Sequence, residues 1–208
     1  MTDLSNAEIK KTLGEFEISS SNELCNLIRV YISLLLRWNE RISLTTVTSP
    51  TEILRFHFGE SVFGASVAAI HRGRLCDVGS GAGFPGLALR LVRPDLELVL
   101  IEANTKKSAF LWEVVRELHL NRVQVFRGRM RELPGQACGL DFVTARAVGQ
   151  HIRTLNWARS RINDVGKAVL WLGEDDVRTV SGASGWIWQQ PRRIPGSERR
   201  VILVGSPS

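Results

Sequence analysis

Long apolar runs are missing from this 208-residue sequence. No stretch approaches the roughly 18 uncharged residues that span a bilayer, and the opening MTDLSNAEIKK has no apolar signal core. The expectation is a cytoplasmic protein with no membrane contact. Cysteine is scarce: Cys25, Cys76 and Cys138 are an odd number, widely spaced, with no C-x-x-C pair and no histidine cluster nearby. That excludes a disulfide framework and a zinc site, and the three read as reduced structural thiols. Internal repeats, low-complexity tracts and coiled-coil heptads are absent as well, and a monomer is expected.

What is present is an ordinary globular composition, 44% apolar and 23% charged. The length suits one full core with an appended helical segment. The net charge is +6 and the pI about 9.8, a balance that favours contact with a polyanion, because each neutralised phosphate releases counterions. Basic residues recur at Arg127, Arg129 and Arg131, at Arg146 and Arg153, and at Arg192, Arg193, Arg199 and Arg200.

From Asn22 to Trp38 apolar residues return at three- and four-residue steps (Leu24, Leu27, Ile28, Tyr31, Leu34, Leu35, Trp38), the pattern of an amphipathic helix that covers something. A second helix is expected over Pro50 to Ala69, with Ser49 as N-cap and Pro50 at its first position. After Gly73 short apolar runs alternate with helical patterns: 74–78, 96–102, 123–126, 142–145 and 168–172 read as strands, with crossover helices over 86–92, 107–118 and 152–162. Such alternation predicts βαβ units and a parallel sheet. Trp186 to Gln189 and Val201 to Val204 read as a terminal antiparallel hairpin. The expected organisation is a helical extension, residues 1–70, packed on an α/β core, residues 71–208.

The strongest local signal is Asp77-Val78-Gly79-Ser80-Gly81-Ala82-Gly83-Phe84, a strand entering a glycine-rich turn ahead of a helix. Glycines let a ligand touch backbone there, and the helix N-terminus adds partial positive charge. Counting glycines leaves a dinucleotide site open, since Gly81, Gly83 and Gly86 fit G-x-G-x-x-G. Two acids favour S-adenosylmethionine. Asp77 precedes the first glycine as in D/E-x-G-x-G-x-G, where it can orient the loop and meet the cofactor's amino group. Glu102, about 20 residues on, can accept ribose hydroxyls. No residue stands out as an acid or base for hydride transfer, whereas methyl transfer needs mainly alignment.

These residues resemble the small-subunit ribosomal RNA methyltransferase G family, also called glucose-inhibited division protein B. Leu36 to Thr45 looks like its K-W-N-x-x-x-N-L-T, Ile53 to Ser61 like R-H-x-x-D-S, and Asp77 to Gly86 like D-x-G-x-G-x-G-x-P-G. Glu102 with Lys106, Lys107, Phe110 and Leu111 resembles D-S-x-x-K-R-x-x-F-L, and Thr144 to Ala147 resembles S-R-A. The resemblance implies a Rossmann-like class I methyltransferase that uses S-adenosylmethionine to methylate N7 of one guanine in 16S ribosomal RNA, so the partner is that RNA or the small ribosomal subunit. It places cofactor contacts on Gly79 and Phe84, with Ser80, Gly81 and Gly83 in the same loop, on Met130 and Arg131, and on Arg146, which is also the candidate catalytic residue.

His57, Lys106 and Lys107 are candidate RNA contacts. The two lysines open a helix whose dipole they oppose, so phosphate contact is a reason for their presence. Departures from the family pattern fall at Ser43, Phe56, Glu60, Arg131 and Leu172. Guanine N7 has a lone pair and no proton at neutral pH, so no general base is needed. Consistently, neither a D/N-P-P-Y/F motif nor a Pro-Cys nucleophile is present. Three other readings remain at this point: a methyltransferase acting on another RNA or a small molecule, a non-catalytic cofactor-holding RNA-binding protein, and a nicotinamide-dependent oxidoreductase.

Overall fold

A computed structural model describes residues 2–134, 138–147 and 149–208. Helices come first. In α1 (Asn6–Gly14) the Ser5 hydroxyl accepts from the Glu8 amide while the Glu8 carboxylate accepts from Ser5, a reciprocal cap that satisfies two otherwise orphaned donors. In α2 (Asn22–Asn39), capped by Ser21, the periodic stripe is buried from Leu24 to Leu35. A short helical turn, α3 (Pro50–Glu52), runs into a π-helical stretch over Ile53–Gly59 and then α4 (Glu60–Val67). The single helix expected over 50–69 therefore has a widened centre, a feature often found at functional sites.

The rest alternates: β1 (Gly73–Val78), α5 (Gly86–Val92), β2 (Leu96–Glu102), α6 (Thr105–Glu117), β3 (Val123–Arg127), β4 (Leu140–Arg146), α7 (His151–Arg159), β5 (Ile162–Gly173), α8 (Glu174–Ser181), β6 (Trp186–Trp188), β7 (Arg192–Arg193) and β8 (Arg200–Pro207). The sheet order is β3-β2-β1-β4-β5-β8-β6, with β7 also on β8. β1 to β5 are parallel, and β8 runs antiparallel to β5 and β6.

Both faces of the sheet are covered, which is why stretches inside its strands, Leu98 to Ile101 and Ala168 to Leu172, read as continuous apolar runs. Leu75, Leu98, Leu100, Phe142, Val169 and Trp171 join the cluster containing α2, α4, α5 and α6. Their strand neighbours Cys76, Ile101, Val143, Ala168 and Leu170 join the α7 and α8 side. The helical extension shares the first cluster without a break. Among the described residues no helix is long and apolar enough to cross a membrane.

Sequence reading missed α1 and α8, and saw only the inner part of β5. The apolar residues of α1 are few, and α8 opens on Glu174, Asp175 and Asp176, which look like a loop until their N-terminal position, favourable for acids, is seen.

Candidate functional site

The strand order reverses between β1 and β4, so a crevice must open beyond the carboxyl ends of those strands. The glycine loop lies there. Gly79 and Gly81 take φ of +71° and +55°, and Gly83 takes +87°. The Gly79 and Ser80 amides donate to the Ile101 carbonyl, tying the loop to β2, and the Gly83 amide donates to Ser80.

Beneath the loop Asp77 is fully buried. Its Oδ1 accepts from Thr144 Oγ1 at 2.7 Å and its Oδ2 from the Gly86 amide at 3.2 Å. Burial, with a smaller push from Glu102, raises its pKa to about 6 against the hydrogen bonds that lower it. Asp77 thus orients the loop. Direct contact with a cofactor amino group does not fit this geometry, because no part of Asp77 is exposed. The Ser80 side chain likewise turns inward, donating to the Asp77 carbonyl at 2.9 Å.

Glu102 closes β2 and accepts from the Gly81 amide at 2.9 Å and the Asn104 amide at 2.7 Å. One lone pair remains on each oxygen. Around it opens a cavity of about 780 Å³, walled by Gly79 and Glu102, by Met130 and Arg131 in the 3₁₀ turn after β3, and by Arg153 and Trp157 of α7. Of the residues singled out from sequence, Gly79, Glu102, Met130 and Arg131 share this wall. Arg129 and Arg153, noted in the sequence only as recurring basic residues, share it too; Gln150, Thr154 and Trp157 also do and were missed, because α7 has no motif to mark it. A second depression, about 640 Å³, sits at the opposite ends of the strands, where Arg74 and Arg122 are taken up by Glu97; it is remote from the glycine loop.

Phe84 and Arg146 fall elsewhere. The Phe84 ring is buried, stacked on Tyr31 (5.3 Å between centroids, 9° between planes) and on His57 (5.1 Å). Arg146, at the end of β4, reaches away from the cavity into the seam with the helical extension. Its Nη2 donates to the Phe56 carbonyl (2.7 Å) and pairs with Glu60 Oε2 (3.1 Å), and its Nη1 donates to Ser61 Oγ (3.2 Å) and the His57 carbonyl (3.5 Å). Arg146 is therefore not on the wall that Gly79 and Met130 form.

His57 lies in the same seam, 2.7 Å from Thr45 Oγ1. The same hydroxyl accepts from the Val47 amide, which holds it against the ring. Burial and the Arg146 charge lower the His57 pKa to about 4, so the ring is neutral near pH 7. The ring is half-buried and, being neutral, offers a phosphate no positive charge. Burial raises the Glu60 carboxyl while Arg146, Arg200 and Arg55 oppose that shift. Lys106, exposed, and Lys107, half-buried, stand in the first turn of α6, whose amides the Asn104 side chain caps.

An open, mostly parallel sheet of this order, with a glycine loop after β1 and an acid closing β2, defines a Rossmann-like class I methyltransferase architecture. A solved S-adenosylmethionine-dependent methyltransferase from Aquifex aeolicus superposes with a TM-score of 0.61 at 15% identity, covering 77% of this chain and 94% of its own, which shows the fold.

The family described as rRNA small subunit methyltransferase G matches residues 24–183, and the chain belongs to that family. A ribosomal RNA small subunit methyltransferase G from Xanthomonas axonopodis pv. citri is 38% identical over 179 residues, 84% of this chain and 83% of that one. One from Desulfitobacterium hafniense is 34% identical over 142 residues, 67% of this chain and 59% of that relative's length. Membership makes the chain an enzyme, a methyltransferase.

Proposed function

We propose that this protein transfers a methyl group from S-adenosylmethionine to N7 of a specific guanine in 16S ribosomal RNA. The observation that carries the reading is the division of the switch-point crevice: a cavity bearing the glycine loop and Glu102 on one side, and the Arg146 seam on the other.

The cavity fits the cofactor. Its volume lies within the roughly 300 to 1,000 Å³ of small-molecule sites, and the lone pairs left on Glu102 suit a pair of ribose hydroxyls. Gly79 offers backbone at a point without a side chain, and Met130 and Arg131 flank the adenine end. Ser80, Gly81, Gly83 and Phe84 shape the loop from behind. S-adenosylmethionine, when bound, supplies a methyl group on a sulfonium.

The chain's own task is to hold the acceptor in line with that methyl, an effect that can supply about 7 to 11 kcal/mol. Asp77, Glu60 and His57 are each committed to internal partners, an arrangement suited to an acceptor with no proton to remove. Arg146 spends its four Nη hydrogens within the protein, so we assign it a positioning role on the acceptor wall in place of a direct cofactor contact. Lys106 and Lys107 are placed to meet phosphates. The reading extends to a cytoplasmic monomer, because small subunits are assembled in the cytoplasm and one chain carries both cavity and seam. In the same reading residues 1–70 form an extension that serves the core, residues 71–208, by building the seam.

The test is incubation of the purified protein with methyl-labelled S-adenosylmethionine and unmethylated small ribosomal subunits, followed by nucleoside analysis. Labelled 7-methylguanosine in 16S RNA is expected; label in another nucleoside overturns the assignment.

A further inference from the structure

We propose that Arg200 binds a phosphate of RNA lying across the seam between the helical extension and the C-terminal strands, beside Arg146. The inference rests on the RNA reading above and adds a residue to it. The late arginines sort by partner. Arg193 pairs with Glu174 at 2.9 Å and Arg199 with Asp175 at 2.6 Å, so both are occupied by the acids that open α8. Arg200 instead turns to the seam, where its Nη2 lies 2.8 Å from Glu60 Oε1.

Three restraints fix that guanidinium. Glu60 holds Nη2, Ser197 Oγ accepts from Nε at 3.2 Å, and the Phe56 ring lies under the plane with its centroid 5.4 Å away. Among the described residues Nη1 has no hydrogen-bond partner, and the side chain is 43% exposed. A donor edge oriented in advance and left open binds without paying the rotamer entropy of a free arginine.

The charge count points the same way. Glu60 is 3% exposed and carries two arginines, Arg146 on Oε2 and Arg200 on Oε1. One carboxylate neutralises one of them. The remaining positive charge stands at a partly desolvated surface, where an anion is held more strongly than in open water. A phosphodiester matches it: one negative charge on two oxygens, in the planar spacing a guanidinium fork accepts. Because Arg146 closes β4 beside β1, a phosphate on Arg200 lies next to the crevice into which the target base must turn.

The test compares wild type, Arg200→Ala and Arg200→Lys for binding to unmethylated small ribosomal subunits across a monovalent salt series, with calorimetry for S-adenosylmethionine and thermal unfolding alongside. Arg200→Ala is expected to weaken subunit binding about tenfold at low salt and to reduce the logarithmic salt slope by about 0.7 to 0.9. KM for subunits rises, while kcat and cofactor affinity hold. Arg200→Lys keeps the charge against Glu60 and is expected to restore the slope while recovering only part of the affinity; it carries the test if Arg200→Ala does not fold. Wild-type affinity and slope in Arg200→Ala overturn the inference alone, as does weaker binding at an unchanged slope, which makes Arg200 a brace for Glu60. Subunit binding by wild type that ignores salt overturns the inference together with the RNA reading.

Discussion

The Tyr31 hydroxyl, on the second helix of the extension, donates a 2.7 Å hydrogen bond to the Ala82 carbonyl in the glycine loop, while the Tyr31 ring stacks on Phe84 three positions from that loop's centre. The extension therefore braces the cofactor loop from behind. Tyr31→Phe keeps the stack and strands a buried carbonyl, a loss of about 1 to 3 kcal/mol. The expected result is a melting temperature lower by about 2 to 4 °C for each kcal/mol, with weaker S-adenosylmethionine binding by calorimetry. An unchanged cofactor affinity would show that the brace does not reach the site.

Two loop glycines should answer differently to alanine. At Gly81 an added Cβ meets nothing closer than the Gly79 carbonyl at 3.8 Å, so only the left-handed backbone is penalised, by about 1 to 2 kcal/mol. At Gly83 the same atom would fall 2.1 Å from Tyr31 Oη and 2.6 Å from Leu87 Cδ1. Overpacking and backbone strain together make Gly83→Ala costly, about 2 to 5 kcal/mol. Urea denaturation of the two variants checks the order.

Glu102 holds the loop and lines the cavity at once. Glu102→Ala removes the acceptor of the Gly81 and Asn104 amides together with the proposed ribose contact. A charge-assisted hydrogen bond lost in this way weakens cofactor binding about 10- to 100-fold, which calorimetry measures directly. An unchanged Kd would place the ribose elsewhere in the cavity.

Acid titration sets buried Asp77 against half-buried His57. Asp77 has its pKa raised to about 6 from 3.8, so the folded state holds a proton that the unfolded state has released. Stability from this group is fully present below pH 3.8 and is lost as pH rises to about 6. His57 has its pKa lowered to about 4 from 6.5, so the unfolded state takes up a proton first. Its contribution is lost as pH falls from 6.5 to about 4. Each spans about 3 kcal/mol by the usual conversion, and the slopes oppose. Urea denaturation between pH 4 and 6.5 should show His57→Gln becoming relatively more stable toward acid, and Asp77→Asn relatively less. Parallel curves for wild type and both variants would contradict the shifts.

Much of this was legible in the sequence because the fold writes its own periods. The strand run at 96–102 and the crossover at 86–92 fall on β2 and α5, since the inner residues Leu98 to Ile101 of a strand covered on both faces are apolar, and the glycine-rich turn fixes where the following helix begins. The loop was readable because the left-handed backbone at Gly79, Gly81 and Gly83 restricts those positions to glycine. What escaped was set by tertiary contact. Nothing local marks Trp157 or Arg153 as cavity walls, and nothing in Phe56-His57 says that the imidazole stacks on Phe84 and stays neutral. Arg200 looked like one of four similar charges until Glu60 singled it out.

Arg146 offers the sharpest separation between cofactor side and acceptor side. Its guanidinium ties β4 to the π-helical stretch through Phe56 and His57 and to the start of α4 through Glu60 and Ser61, and it is 17% exposed beside a Glu60 that is 3% exposed. Removing one partner of such a buried pair costs about 3 to 5 kcal/mol, so Arg146→Ala should be strongly destabilised. Glu60→Gln should recover part of that loss when combined with it, by a coupling of about 0.5 to 3 kcal/mol. Arg146→Lys retains the charge, but three donors on a single ammonium cannot span the same four acceptors. Because the cavity wall does not include Arg146, the lysine variant is expected to bind S-adenosylmethionine as wild type does and to lose most of its kcat on ribosomal subunits. A matching loss of cofactor affinity would move Arg146 back to the cofactor's side of the crevice, whereas retained kcat would show that the fork is needed for folding alone.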